Sequence, residues 1–324
     1  MSKRLTRLYA CGGAGINISA GITDNVDVPG FSDTKVSRVD TSVANLTTNM
    51  PEDSVFVLAG ADGSGKERRH NYRPVVAALP QILTLHAPCD YNIVLFSASG
   101  GSGSVIGPVI LGELLKRKLP SVAIVVGTTG SKTEVQNSID TLKSLSGVCK
   151  ASKLPLVMVY LEVNQHNSQA DVDRQVTAAI TQLLSLFDSH ASGLDYKDIT
   201  NLLQYTNIRG GVESLMSMDI YIDNDIEAIT GSFPPSMATV YKDDERPSLP
   251  VTPGYHATGT RDKSVTDERM KVTIHFVITE PPVKEHFDGL ETRLKNIIDG
   301  ENAVGNIAGV LSDDDEVDGL GMVL

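Results

Sequence analysis

The chain is short of cysteine, of positive charge and of long apolar runs, and each shortage excludes something. Its three cysteines, Cys11, Cys89 and Cys149, lack metal-site spacing and leave one thiol over in any disulfide scheme, which points to a reducing compartment. Lys and Arg number 28 against 40 Asp and Glu, a net charge of −12. Broad attraction to nucleic acid or to an anionic membrane is therefore not expected, and neither is taken as a direct partner. Met1-Ser-Lys-Arg leads into a short alternating segment, with no signal peptide and no apolar run long enough to span a membrane, so the expected location is cytoplasmic. Hydrophobic residues at 41% and charged residues at 21% of 324 are ordinary for a folded chain with room for a large core and two domains.

Apolar strand candidates recur at Leu5 to Ala10, Val36 to Val39, Val55 to Leu58, Asn92 to Phe96, Val122 to Val126 and Leu156 to Leu161, with helical stretches between them. That alternation predicts an α/β fold with a mostly parallel sheet covered on both faces. Val172, Val176, Ile180, Leu183, Leu184 and Phe187 keep helical spacing and predict a long helix joining two domains. Beyond Asp219 the runs are strand-like, Val272 to Thr279 most clearly. Pro281-Pro282 stops that strand, and Val283 to Ile298 reads as a surface helix of mixed charge. Ser312 to Asp318 is an acidic run, followed by apolar Leu320, Met322, Val323 and Leu324. The expected units are residues 1–168 (nucleotide-binding), 169–190 (connecting helix), 191–280 (a smaller α+β domain), 281–311 (a C-terminal helix) and 312–324 (an acidic tail).

The densest chemical signal is Phe96-Ser-Ala-Ser-Gly-Gly-Ser-Gly-Ser-Val-Ile106, small residues between a strand and a helix. Gly100, Gly101 and Gly103 let backbone approach a ligand, and Ser102 and Ser104 are placed to cap the helix, whose amide end favours phosphate. Cys11-Gly-Gly-Ala-Gly-Ile-Asn17 follows the first strand in the same way. Two such loops suit one nucleotide gripped from both sides. Gly60 to Lys66 has the G-x-x-x-x-G-K spacing of a P-loop, but Glu67 stands where Ser or Thr is needed for magnesium and Arg68-Arg69-His70 is not an apolar helix face, so it reads as a near miss. Gly13-Ala-Gly15 with Asp40 after the second strand approaches the dinucleotide fingerprint, with Ile18 in place of the third glycine; an NAD-dependent oxidoreductase is the reading that follows from it. Asp195 and Asp198, in Gly193-Leu-Asp-Tyr-Lys-Asp198, have two readings. They start a helix, or they are carboxylates that orient a water. A long intervening helix would keep them from a nucleotide in the same molecule and leave them free to serve the next one's.

Together these segments resemble the tubulin and FtsZ superfamily. Gly12 to Asn17 reads GGAGIN against the family's GGAGGN, and Ser97 to Ile110 reads SASGGSGSVIGPVI against GGGTGTGAAPVI in FtsZ. Gly193 to Asp198 matches the family's acid loop with both acids kept and the asparagine lost. The departures, Ser99, Ser102 and Val105, mark a distant branch, and the short C-terminal helix running into an acidic tail looks like the tubulin-like proteins of large bacteriophages.

The resemblance implies a Rossmann-type GTP domain joined by a central helix to an activation domain, in a polymerising GTPase that binds GTP or GDP with Mg2+. It implies contacts from Gly12, Gly13, Ala14, Gly15, Asn17, Asp40, Thr41, Ser97, Gly100, Gly101, Ser102, Gly103 and Ser104. Glu134 is placed as the ribose-binding acid, Asn164 (with Asn167 as rival) and Asp173 as base contacts, and Asp195 and Asp198 as the catalytic acids. It further implies a head-to-tail homopolymer whose acidic tail docks on the neighbouring subunit, in filaments that position phage DNA in the host cytoplasm. A plasmid-segregating tubulin would carry a basic tail, and a nucleotide-binding structural protein that does not hydrolyse is the alternative from another class.

Overall fold

The computed structural model describes residues 4–58, 63–188, 192–211, 213–263, 265–267, 270–280 and 283–312. Gly60 to Asp62 of the near-miss P-loop, Pro281-Pro282 and the acidic tail beyond Ser312 lie outside them.

Among the described residues, ten strands form one sheet in the order β3-β2-β1-β4-β5-β6-β7-β10-β8-β9. They are β1 Leu5–Cys11, β2 Asp33–Asp40, β3 Val55–Val57, β4 Tyr91–Ser97, β5 Ser121–Thr128, β6 Leu156–Val163, β7 Leu215–Ile222, β8 Ser236–Tyr241, β9 His256–Thr260 and β10 Ile274–Thr279. From β3 to β7 every neighbouring pair is parallel; β10 runs antiparallel to β7 and β8, and β8 pairs parallel with β9. The helices are α1 Gly12–Ile18, α2 Arg68–Leu85, α3 Gly103–Lys116, α4 Lys132–Ser152, α5 Gln169–Phe187, α6 Tyr196–Leu203, α7 Thr206–Arg209 and α8 Val283–Ser312. The mostly parallel α/β sheet expected from the alternation is present.

Alternation along β4 shows why the sheet is covered on both faces. Ile93 and Leu95 join the core that contains Val172, Val176, Ile180 and Leu183 of α5. Val94 and Phe96 join the opposite core, with Ile106 and Ile110 of α3 and Ile139 and Leu142 of α4. Successive strand side chains point to opposite faces, so a strand buried on both reads as a continuous apolar run.

Two expectations change. The C-terminal helix expected within residues 281–311 is not simply a surface helix. It runs Val283–Ser312, and Phe287, Leu290, Leu294 and Ile297 pack on the core beside α4 at helical spacing. The residues expected as a separate α+β domain continue the same sheet, because Leu215 to Ser217 of β7 pair with Leu156 to Met158 of β6. Among the described residues, no helix is long and apolar enough to cross a membrane.

Gly107 is where the packing between α3 and β4 is tightest, since a Cβ there would lie 2.3 Å from the ring of fully buried Phe96. Gly107→Ala is expected to destabilise by about 1–3 kcal/mol through overpacking. Gly147→Ala, in α4 with nothing within 4 Å of the new Cβ, should stabilise by about 0.5–1 kcal/mol through helix propensity. Thermal unfolding of the two variants should move in opposite directions.

Candidate functional site

The strand order 3-2-1-4-5-6 reverses between β1 and β4, and in open parallel sheets ligands sit at the carboxyl ends of the strands at such a switch point. There β1 turns into α1 and β4 leads through Ala98 to Ser102 into α3, and the two turns touch backbone to backbone. A Cβ on Gly12, whose φ is +70°, would lie 2.6 Å from the Gly103 amide nitrogen, and one on Gly103 would lie 2.6 Å from the Cys11 carbonyl oxygen. The turns border a cavity of about 500 Å³, within the usual range for a bound small molecule.

The loop after β4 is held from outside by side chains of α2 and α4. Asn71 Nδ2 donates to the Gly101 carbonyl at 3.3 Å, Asn137 Nδ2 to that of Ser99 at 3.1 Å, and Thr141 Oγ1 to that of Ala98 at 2.9 Å. Pro108 has no N–H to offer the Ser104 carbonyl one turn earlier, and Arg68 takes that carbonyl through Nε and Nη2 at 3.2 and 3.1 Å. Engaging the Ser99 and Gly101 carbonyls on the helix side turns the amides of the same peptides, those of Gly100 and Ser102, the opposite way, whereas the Ser99 amide is taken by Ser97 Oγ at 3.3 Å. Among the described residues, no side chain caps the start of α3 or of α1, which leaves their first amides available to an anion.

That last point corrects an expectation. Ser102 and Ser104 do not cap α3. Ser102 has helical backbone angles, φ −83° and ψ −60°, rather than the extended ones a cap requires, and its hydroxyl pairs with Thr41 Oγ1 at 2.6 Å. Ser104 is buried, its hydroxyl 3.5 Å from the Gly101 carbonyl.

Of the residues expected at the site, Gly12, Gly13, Ala14, Asp40, Ser97, Gly100, Gly101, Ser102, Gly103 and Glu134 line the cavity. Gly15 lies behind it, pressed on β4, where a Cβ would meet the Leu95 carbonyl oxygen at 2.7 Å. Thr41 and Ser104 lie behind the cavity wall, Thr41 against the Ser102 hydroxyl and Ser104 against the Gly101 carbonyl. Asn17, Asn164 and Asp173 belong to the same edge of the sheet but do not line the cavity. Asn17 donates to Asn45, Asn164 accepts the His166 amide in the turn after β6, and Asp173 accepts from Gln169 on α5.

The cavity also takes Ser42, Asn45, Gly63, Ser64, Lys66, Ser99 and Thr128. Thr128, Ser99 and Ser97 form a hydroxyl chain along one wall, at 3.1 and 2.9 Å. Asp40 is almost fully buried; burial pushes its carboxyl up, and hydrogen bonds led by the Thr41 amide partly oppose this. The near-miss P-loop sits in better context than its sequence showed, because helix α2 does begin at Arg68. Residues 63–67 fold over Gly101, where a Cβ would strike Ser64 Oγ at 2.3 Å. Lys66, in a left-handed conformation at φ 63°, reaches Glu134 with Nζ–Oε1 at 2.8 Å and clasps the loop to the start of α4. Arg68 is committed to Ser104 and Ser144 and does not line the cavity. Asn71 and Asn137 went unread although a signal existed: each is a polar residue on the buried side of a helix.

Asp195 and Asp198 lie at the other edge. They do start a helix, as a reciprocal capping box on α6: the Asp198 amide donates to Asp195 Oδ1 at 2.8 Å and the Asp195 amide to Asp198 Oδ2 at 3.1 Å. The next residue, Tyr196, has its ring 5.7 Å from that of Tyr91, the first residue of β4, and Tyr91 stacks on Phe187 at the end of α5 at 4.6 Å. Ser97, the last residue of β4, lines the cavity. The strand between them spans about 20 Å at the usual rise per residue.

A parallel sheet with two glycine turns meeting at its switch point, and a long helix leading to an acid pair at the opposite edge, is the architecture of the tubulin and FtsZ superfamily. No protein-family model matches the chain. A phage tubulin-like protein of Pseudomonas phage PhiPA3 is 32% identical over 291 residues, covering 90% of this chain and 89% of the relative. The fold superposes on the phage tubulin PhuZ with GDP (TM-score 0.82, 26% identity, 98% and 99% of the two chains) and on a protofilament of TubZ from bacteriophage PhiKZ (0.81, 27%, 98% and 99%). The chain belongs to the phage tubulin-like proteins.

The clasp gives a pH dependence. Burial acts to raise the Glu134 carboxyl, but the hydrogen bond and charge of Lys66 outweigh it and hold the group below its ordinary value. A depressed carboxylate contributes stability that is present above its unfolded pKa and lost as pH falls through the folded one. Amide exchange at residues 63–67, after correction for its intrinsic pH dependence, should show protection that is full at neutral pH and falls as pH drops through and below the ordinary carboxylate range. Glu134→Gln should remove that pH dependence and leave the segment less protected at neutral pH.

Proposed function

We propose that this protein is a GTPase that assembles head to tail into filaments, with each hydrolytic site completed by two subunits. The observation that carries this reading is the separation along β4: the phosphate-binding turns lie at one end of the strand and the acid pair beyond the other. No side-chain rearrangement spans that length, whereas stacking one copy on the next sets the acid edge of one over the cavity of the other. Such a contact is heterologous and does not close, so it propagates. A GDP-bound phage tubulin and a phage TubZ protofilament among the structural neighbours support both halves of the reading.

GTP or GDP would occupy the cavity with phosphates against the amides of Gly12 to Ala14 and of Gly100 to Gly103. Glu134 is assigned to the ribose, Asn164 and Asp173 to the guanine, and Asn17 to the nucleotide without a more particular role, on the edge they share with the cavity. Lys66 is the cation placed to leave Glu134 for a terminal phosphate. The carboxylates fit a magnesium ion only in part. Asp40 and Glu134 line the cavity, and no cluster of three or more metal-ligating side chains occurs among the described residues. An ion there would take most ligands from phosphate and water and would supply charge neutralisation. Asp195 and Asp198 of the adjoining subunit would orient the water for in-line attack, a task of positioning and electrostatics.

The segment after α8 is assigned to docking on a neighbouring copy. An apolar groove of about 690 Å³ across α2, α3 and α4, with Tyr72, Val76, Leu79 and Val109 on its walls and Arg69 and Lys116 at its rim, matches a segment that is acidic and then apolar. The filaments are assigned to the host cytoplasm, where they would position phage DNA.

Phosphate release from GTP per molecule should show a threshold and then rise with protein concentration. A flat rate would overturn the shared site. Asp198→Ala should lower turnover at least a hundredfold while keeping bound nucleotide and lengthening filament lifetime. Removing residues 313–324 should raise the critical concentration several-fold by sedimentation; an unchanged threshold would defeat the docking assignment.

A further inference from the structure

Asp198 makes one contact that its capping role does not require. Its Oδ2 is used by the Asp195 amide, and its Oδ1 faces the hydroxyl of Tyr255 at 3.3 Å, from a different part of the chain. The same hydroxyl accepts from Asn201 Nδ2 at 3.5 Å, one turn further along α6. Asn201 to Tyr255 to Asp198 is therefore a line of donors ending on the acid.

Tyr255 is well placed to hold a fixed direction. Its amide donates to the Pro235 carbonyl at 3.1 Å and its carbonyl accepts from Met237 at 2.9 Å, which ties it to the start of β8, and its ring packs on the core that contains Ile199 and Leu202 of α6. Burial first, and then the charges of Asp198 and Asp195, push its phenol up, so it stays protonated and donates at neutral pH. The strand it enters also backs the turn before the acids. Gly259 lies under Ser192, where a Cβ would be 1.6 Å from the carbonyl oxygen, and Gly193, at φ +68°, rests on Thr260.

We infer that Tyr255 is a positioning residue for hydrolysis in the adjoining subunit's site, orienting the Asp198 carboxylate so that its open lone pairs face the incoming nucleotide's water. The inference rests on the shared-site reading. The capping box fixes only one oxygen of Asp198, leaving the carboxylate free to rock about that contact, and the phenol fixes the other. Losing this donor leaves the fold and the cavity intact, because the hydroxyl contributes nothing to the nucleotide turns at the far edge.

The test compares Tyr255→Phe, Asp198→Ala and the double variant by GTP turnover at equal polymer mass, with GTP affinity and critical concentration measured alongside. Tyr255→Phe should lower turnover about tenfold at saturating GTP, with nucleotide affinity and critical concentration within twofold of the parent. On the Asp198→Ala background it should lower turnover no further, since the phenol acts through that carboxylate. Equal further loss in the double variant, or a weakened GTP affinity that accounts for the single-variant effect, would show a general structural role and overturn the inference. Unchanged turnover in Tyr255→Phe, with Asp198→Ala inactive, would overturn it while leaving the shared site standing. Full turnover in Asp198→Ala would remove both.

Discussion

The turns that contain Gly12 and Gly103 touch through their backbones, and the arrangement of the upper edge depends on that contact. Side chains at either glycine would separate α1 from α3 by more than the loops can absorb. Closing the turns brings two uncapped helix starts to one cavity, and it sets the Cys11 carbonyl against Gly103 rather than toward a ligand. The outer ring of Asn71, Asn137, Thr141 and Arg68 follows from the same requirement. Peptides that are to offer donors on one side need their carbonyls satisfied on the other. Pro108 is part of this device, because the bond it cannot make is the one Arg68 takes.

A rigid sheet then enforces distance. Seven residues of β4, buried on both faces, separate the cavity from the aromatic stack of Tyr91, Phe187 and Tyr196 that seats the acid loop. Because α5 and β4 share one core, the two edges cannot approach each other without unpacking it. The distance between the cavity and the acid pair is therefore a property of the fold, and on the proposed reading it is assembly that brings the two together. β9 and the start of β8 fix the lower half in turn, through Gly259, Thr260 and Tyr255.

Much of this was legible in the chain. The strands announced themselves because a strand buried on both faces must be apolar throughout, and the glycine turns because few other residues tolerate such backbone approach. Asp195 and Asp198 were visible as a pair, although the pattern alone fits a helix start as well as an acid site, and in the structure they are a capping box. The expectation that Ser102 caps α3 failed because residue type indicates a capacity to cap, while backbone angle and a competing partner, here Thr41, decide whether it does. The mixed charge of the C-terminal helix suggests a surface helix; Phe287, Leu290, Leu294 and Ile297 are enough for one buried stripe.

Local chemistry by itself determined the alternation of strands and helices, the positions of the two phosphate-type turns and the candidate acids, since propensity, periodicity and glycine placement act over a few residues. Only the tertiary structure decided which groups share a site. Lys66 meets Glu134, Asn71 and Asn137 clamp the loop after β4, and Tyr255 faces Asp198 because the sheet order and helix packing bring together segments far apart in the chain. Those meetings depend on long-range contacts, which no short window of residues encodes.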